Sequence, residues 1–322
     1  MAENLLEVKN LKKYFTVKTG VRKKSFVKAV DDISFSVKKG ETVSIVGESG
    51  CGKSTTGRAI MRLDEPTDGE ILFNGKNLRT LSKDELRKAR KDIQMIFQDP
   101  FASLNPRQTV FQILNEAMAI QRIGENGKRR DKIKNLLQTV GLLEHQIDLL
   151  PHQFSGGQRQ RIGIARALSV EPKLIVCDEA VSALDVSIQA QVLNLLKELQ
   201  QKFGLTYLFI SHDLGVVRHI SDRIIVMYLG KIMEISDSEA LFEKQAHPYT
   251  KALLSSIPRI DLDSQKDRII LKGDVPSPLS PPSGCPFHTR CPMAIEDCKA
   301  IVPALENVRE NQASACILRD KV

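Results

Sequence analysis

Residues 47–54 read Gly-Glu-Ser-Gly-Cys-Gly-Lys-Ser, which satisfies the spacing G-x-x-x-x-G-K-[ST]. Glycines at Gly47, Gly50 and Gly52 free the backbone to turn its N–H groups toward phosphate oxygens, and Ser49 and Thr55 belong to the same cradle. Lys53 brings a cation to the β- and γ-phosphates, and the Ser54 hydroxyl is a ligand for Mg²⁺. The pattern needs a strand before it and a helix after it, so that the helix turns its positive end to the anion. The run Thr-Val-Ser-Ile-Val at 42–46 supplies the strand, reading as a buried parallel one.

A second stretch, Leu-Ile-Val-Cys-Asp-Glu-Ala at 174–180, buries four apolar residues and then presents two carboxylates. Asp178 at the strand end suits Mg²⁺, usually through water. Glu179 is placed to orient or deprotonate an attacking water. By itself such an acidic pair is an ordinary surface feature; beside a phosphate cradle it is not. Between the two lies Phe-Ser-Gly-Gly-Gln-Arg-Gln at 154–160, where Ser155 can cap a helix whose first turn holds Gly156 and Gly157. Those glycines expose backbone donors to an anion.

Taken in this order, the three stretches resemble the ATP-binding cassette (ABC) family of transporter ATPases. The resemblance implies a P-loop α/β fold with a mixed-sheet core, an antiparallel β subdomain and a helical subdomain. It also implies further roles. Gln98 in Ile-Phe-Gln-Asp-Pro matches the glutamine that touches Mg²⁺ and the attacking water. Asp185 closes the Ser-Ala-Leu-Asp loop at 182–185. His212 matches the histidine that contacts the γ-phosphate, and Tyr14 the aromatic that stacks on adenine. In such cassettes ATP lies between the phosphate loop of one subunit and the signature of another. Ser155, Gly156, Gly157 and Gln158 would thus close over the partner's nucleotide. Phe154 departs from the leucine of the generic signature, at a position that is not a phosphate contact.

Gln-Asp-Pro-Phe-Ala-Ser-Leu-Asn-Pro-Arg (98–107), the stretch 247–258 beginning His-Pro-Tyr-Thr, and the proline-rich 275–292 resemble ATPase subunits of oligopeptide and dipeptide importers. This implies an F-type subunit that pairs with a D-type paralogue and docks on two transmembrane permease subunits. A periplasmic or extracellular peptide-binding protein would act through the permease. The chain is then expected at the cytoplasmic face of the membrane, with no nucleic-acid partner. Nickel importers share this architecture, and soluble cassettes of translation and DNA repair form a separate alternative.

Cys285, Cys291, Cys298 and Cys316 follow the spacing C-x₅-C-x₆-C-x₁₇-C. Four thiolates suit an iron–sulfur cluster or Zn²⁺, although compact zinc sites favour closer pairs. In a zinc site His288 could replace one cysteine, although a solvent-facing histidine is the plainer reading; unligated thiols are the third alternative. Members of the resembling family can carry a [4Fe–4S] cluster in this region, which implies these cysteines as its ligands. Cys51 and Cys177 read as inert fillers. A redox role for the whole chain has no flavin motif or second cluster to support it.

The remaining residues must position these groups. At 322 residues, 42% hydrophobic and 27% charged, the chain can bury a large core. The expected division is a nucleotide-binding domain over 1–236, with a helical subdomain at about 100–170, and a C-terminal region over 237–322. The net charge is +8, and residues 9–28 hold eight Lys or Arg and no acid, which reads best as a solvated basic face. No N-terminal signal pattern or membrane-length apolar run is present. Asn74-Gly75 predicts a hairpin turn, and Ser82 with Glu85 a capping box opening a helix to about Lys91. Ile113, Leu114, Ala117 and Met118 share one helical face. Val192, Leu195, Leu196, Leu199 and Phe203 share another that stops at Gly204. Strands are expected within 205–213 and 223–230, and a helical stretch over 237–262. The prolines from Pro276 to Pro286 then announce an irregular tail.

Overall fold

The computed structural model describes residues 3–18, 24–125, 127–257 and 269–322. Its strands are β1 (Asn4–Lys18), β2 (Lys24–Lys38), β3 (Thr42–Val46), β4 (Asp68–Phe73), β5 (Lys76–Asn77), β6 (Ile93–Ile96), β7 (Leu174–Asp178), β8 (Thr206–Ile210), β9 (Arg223–Tyr228), β10 (Lys231–Asp237), β11 (Glu306–Arg309) and β12 (Gln312–Ser314). Its α-helices are α1 (Lys53–Ile60), α2 (Lys83–Asp92), α3 (Pro100–Ser103), α4 (Val110–Ile120), α5 (Arg129–Thr139), α6 (Gly156–Leu168), α7 (Val186–Phe203), α8 (Leu214–Ile220), α9 (Ser238–Glu243) and α10 (Pro248–Ser255). The chain divides into two compact units. One comprises residues 80–210 with 1–5 and 38–41; the other comprises 6–37, 42–79 and 211–322.

In the first unit β6, β7 and β8 run parallel, with Met95 opposite Val176 and Val176 opposite Leu208. Every residue of β7 and β8 is buried, as a parallel sheet covered on both faces requires. Helix α7 buries Val192, Leu195, Leu196 and Leu199 on the expected face and ends at Gly204 in the left-handed conformation. Phe203, assigned to the same face, is half exposed (50%) because the helix has run past the edge of the core. Helix α2 opens on the reciprocal Ser82–Glu85 capping box. Helices α3 to α6 fill the segment expected to be helical, and α4 buries Ile113, Leu114 and Met118.

In the second unit β2, β1, β4 and β5 form one sheet in that order, with β1 and β4 antiparallel. Asn74 and Gly75 both take positive φ between β4 and β5, the two-residue turn that matches strand twist. A separate run of strands, β11-β12-β10-β9-β3, is mixed: β3 and β9 are parallel, while the added strands are antiparallel.

The tail is less irregular than its prolines suggest. β11 and β12 form a hairpin that extends the sheet from β10. The strands are short and mostly polar, so alternation does not reveal them. The one local cue is Asn311, left-handed at the turn. The expected helical stretch resolves into α9 and α10, and its end at 258–262 lies outside the described residues. Among the described residues no helix is long and apolar enough to cross a membrane.

Candidate nucleotide-binding site and cysteine cavity

The phosphate loop leaves β3 and enters α1, the context its spacing demands. Two of its glycines are required by close backbone approach. A Cβ on Gly47 would stand 2.2 Å from the Met227 carbonyl oxygen, and one on Gly52 2.1 Å from that of Ala29. Gly52 also has a φ of 105°, where side chains are strained. Lys53 is buried, and its Nζ donates to the carbonyls of Gly47 (2.8 Å) and Glu48 (3.0 Å). The ammonium is therefore held over the inside of the loop. Ser54 and Thr55 are half-buried on the first turn of α1, while Ser49 and Gly50 are exposed at the loop tip.

Tyr14 stands on β1. Its hydroxyl donates to Asp31, and the Lys28 ammonium lies 5.5 Å from its ring centroid. Burial and the Asp31 hydrogen bond push the phenol well above its usual range. Asp31 is in turn 3.2 Å from the Lys231 ammonium. His212 is exposed between β8 and α8, beside Asp213, which caps α8 by accepting from Gly215 (2.8 Å) and Val216 (3.2 Å).

In the first unit, Asp178 ends β7 and is buried, with 6% exposure. Glu179 follows with a φ of 46°, a sparsely populated region for a side-chain-bearing residue. This turn carries its carboxylate to Gln98, whose Nε2 donates to Glu179 Oε2 at 2.8 Å. Ser182 fixes the turn by donating from its amide (3.1 Å) and hydroxyl (3.0 Å) to the Glu179 carbonyl. The structure thus brings Gln98 and Glu179 together across 81 residues of sequence.

Ser155 caps α6 in a reciprocal box with Gln158. Gly157 lies under Ile188, where a Cβ would come within 2.6 Å of that side chain; Gly156 faces Leu184. The signature glycines therefore seat the start of α6 against α7, whose N-cap is Asp185. Phe154 is buried, so it packs and leaves the exposed Ser155 unaltered.

Cys285, Cys291, Cys298 and Cys316 line one small, partly open cavity with His247, Phe287, His288 and Leu318. Burial pushes the Cys285 thiol up to about 11 and raises those of Cys291 and Cys316. Among the described residues, no group of three or more His, Cys, Asp or Glu side chains is arranged to hold a metal ion. The expected ligand set thus converges on one space without coordination geometry. His288 turns its Nδ1 to the Cys285 carbonyl at 2.9 Å. Cys177 is fully buried beneath Asp178, and Cys51 is buried in the phosphate loop.

Sequence reasoning passed over four residues that hold this site. Glu48 sits at a variable position of the phosphate loop. Its amide donates to the Tyr249 hydroxyl (2.9 Å), and its carboxylate receives both terminal nitrogens of Arg290 (2.6 and 3.1 Å). Tyr228 completes the set, its ring 4.8 Å from that of Tyr249. All four lie in stretches that the sequence marks for other reasons, but a spacing of 242 residues between Glu48 and Arg290 leaves no local signal that they pair.

Residues 30–182 match the family model described as ABC transporter, and residues 233–298 match that of the oligopeptide/dipeptide transporter C-terminal region. The chain is 56% identical over 321 residues to the oligopeptide transport ATP-binding protein AppF of Bacillus subtilis, covering 98% of each. It is 54% identical over 318 residues to a putative peptide import ATP-binding protein of Brucella ovis, covering 99% of this chain and 98% of that one. Among solved structures, the dimeric cassette MJ0796 bound to ADP and Pi superposes with a TM-score of 0.64 at 34% identity. That match covers 72% of this chain and 98% of the cassette.

Proposed function

Because the chain belongs to the family of ATP-binding subunits of oligopeptide/dipeptide ABC transporters, we propose that its site residues hydrolyse ATP to drive peptide import through a permease. The chain is an ABC-type ATPase. What carries the peptide reading is similarity to peptide-transport ATP-binding proteins that runs unbroken through both the cassette and the cysteine-bearing end.

Each residue has a separate task. Lys53 and the loop amides bind the β- and γ-phosphates, while Tyr14 stacks on adenine with its ring oriented by Asp31. Ser54, Gln98 and Asp178 would hold Mg²⁺, which would supply charge neutralisation on the phosphates. Glu179, turned out of β7 and positioned by Gln98, takes the proton of the attacking water. His212 contacts the γ-phosphate. Ser155, Gly156, Gly157 and Gln158, with Asp185 beyond them, close on the nucleotide of a partner subunit. One copy then offers two half-sites and completes neither.

We assign 1–236 to the nucleotide-binding domain, with its helical subdomain at about 100–170, and 237–322 to the importer-type C-terminal region. The subunit is of the F type and pairs with a D-type paralogue at the cytoplasmic face of the membrane, bound there through two permease subunits. A peptide-binding protein delivers cargo to the permease. We assign the four tail cysteines to a [4Fe–4S] cluster. Four soft donors lining one small cavity support this.

Anaerobic purification of the chain from its native membranes tests both levels. It is expected to bring down two hydrophobic permease subunits and a second cassette, with about four iron per chain. Sedimentation with ribosomes or DNA instead would overturn the importer reading. Stoichiometric zinc without iron would overturn the cluster alone.

A further inference from the structure

We propose that Arg290, in the cysteine-bearing tail, is a positioning residue for ATP binding: it grips and neutralises Glu48, the one carboxylate of the phosphate loop. The inference rests on reading Gly47–Ser54 as the phosphate-binding loop, and it makes the C-terminal region part of the nucleotide site's support.

A carboxylate in an anion-binding loop opposes the triphosphate that the loop must hold. Glu48 is the only acidic residue among Gly47–Ser54. Arg290 answers it with a bidentate pair, Nη1 to Oε2 at 2.6 Å and Nη2 to Oε1 at 3.1 Å. Exposed ion pairs of this kind do little. Here the Arg290 side chain is only 9% exposed, and the planar fork fixes direction as well as charge.

The rest of Glu48 is equally constrained. Its amide donates to the Tyr249 hydroxyl at 2.9 Å, and its carbonyl accepts from Lys53 Nζ at 3.0 Å and the Cys51 amide at 3.3 Å. A shift of Glu48 therefore carries Lys53 with it. Arg290 is itself rigidly seated. Its amide donates to the Phe287 carbonyl at 3.0 Å, and Phe287 is fully buried against Tyr228 (5.4 Å) and Tyr249 (5.2 Å). Arg290 also reaches the Tyr228 hydroxyl at 3.4 Å. The tail thus holds the loop at two points of one residue, by its guanidinium on the carboxylate and by the tilted Phe287–Tyr249 ring contact behind the amide.

The test is ATP hydrolysis by the assembled transporter carrying Arg290→Gln, Arg290→Lys, Glu48→Gln, the Arg290→Gln/Glu48→Gln pair, or Lys53→Ala, with KM, kcat and Tm read for each. Arg290→Gln is expected to raise the KM for ATP about five- to tenfold while kcat changes less than about twofold. Glu48→Gln alone changes KM less, because it removes the carboxylate instead of exposing it. The double variant recovers most of the loss, and Arg290→Lys falls between, keeping charge without the fork. A lower Tm with unchanged KM in Arg290→Gln would reduce Arg290 to a tail anchor. A double variant as impaired as Arg290→Gln would also overturn the proposal. Should Arg290→Gln not fold, a wild-type KM in Arg290→Lys is the contradicting result and a raised KM the supporting one. Lys53→Ala separates the levels: a wild-type KM there sinks the phosphate-loop reading itself. Loss of binding there beside a wild-type KM in Arg290→Gln sinks only this inference.

Discussion

Gly47–Ser54 and the tail from Cys285 to Cys316 are fixed by different forces. The phosphate loop is shaped by backbone. Gly47 and Gly52 let carbonyls pass where any side chain would collide, and Lys53 is tied to main-chain oxygens. The tail is held by side chains: Phe287 fills a ring cluster with Tyr228, Tyr249 and His247. The buried Glu234 accepts from the Ala246 amide, the His247 amide and Gln312 Nε2. Burial drives the Glu234 carboxyl above its usual range, and burial likewise drives His247 down to about 3. A backbone-shaped loop can change its chemistry with little loss of fold, whereas a packed tail should lose stability first.

That contrast has two direct tests. Phe287→Ala is expected to cost about 3–5 kcal/mol in urea unfolding of the full chain. A cost below about 1 kcal/mol would show that packing is not what holds the tail. Lys53→Ala is expected to weaken ATP binding by about two orders of magnitude in equilibrium titration, with a smaller loss of stability than Phe287→Ala. If the order of those stability losses were reversed, the distinction between the two regions would fail.

The same contrast explains what could be read from sequence. Phosphate loop, strand end and signature are local: each needs a few residues at fixed spacing beside one strand or helix. The capping box at Ser82 and the Asn74-Gly75 turn were legible for the same reason, since their partners lie within three residues. Phe203 was misplaced because periodicity continues to a helix end whether or not core lies beneath it. The β11–β12 hairpin escaped because its strands are too short and polar to alternate. The Arg290–Glu48 pair escaped because a contact across 242 residues leaves no periodic trace. The four cysteines line one cavity, but their spacing carries nothing of how close the thiols stand, and among the described residues they form no group arranged to hold a metal ion.

Glu179 carries the central claim, that this chain turns over ATP through a carboxylate held at the end of β7 by Gln98. The decisive measurement is ATP hydrolysis and peptide uptake by the assembled transporter reconstituted in vesicles with Glu179→Gln. Nucleotide binding is expected to persist while turnover and uptake both fall to near background. Hydrolysis at the wild-type rate in that variant would contradict the account.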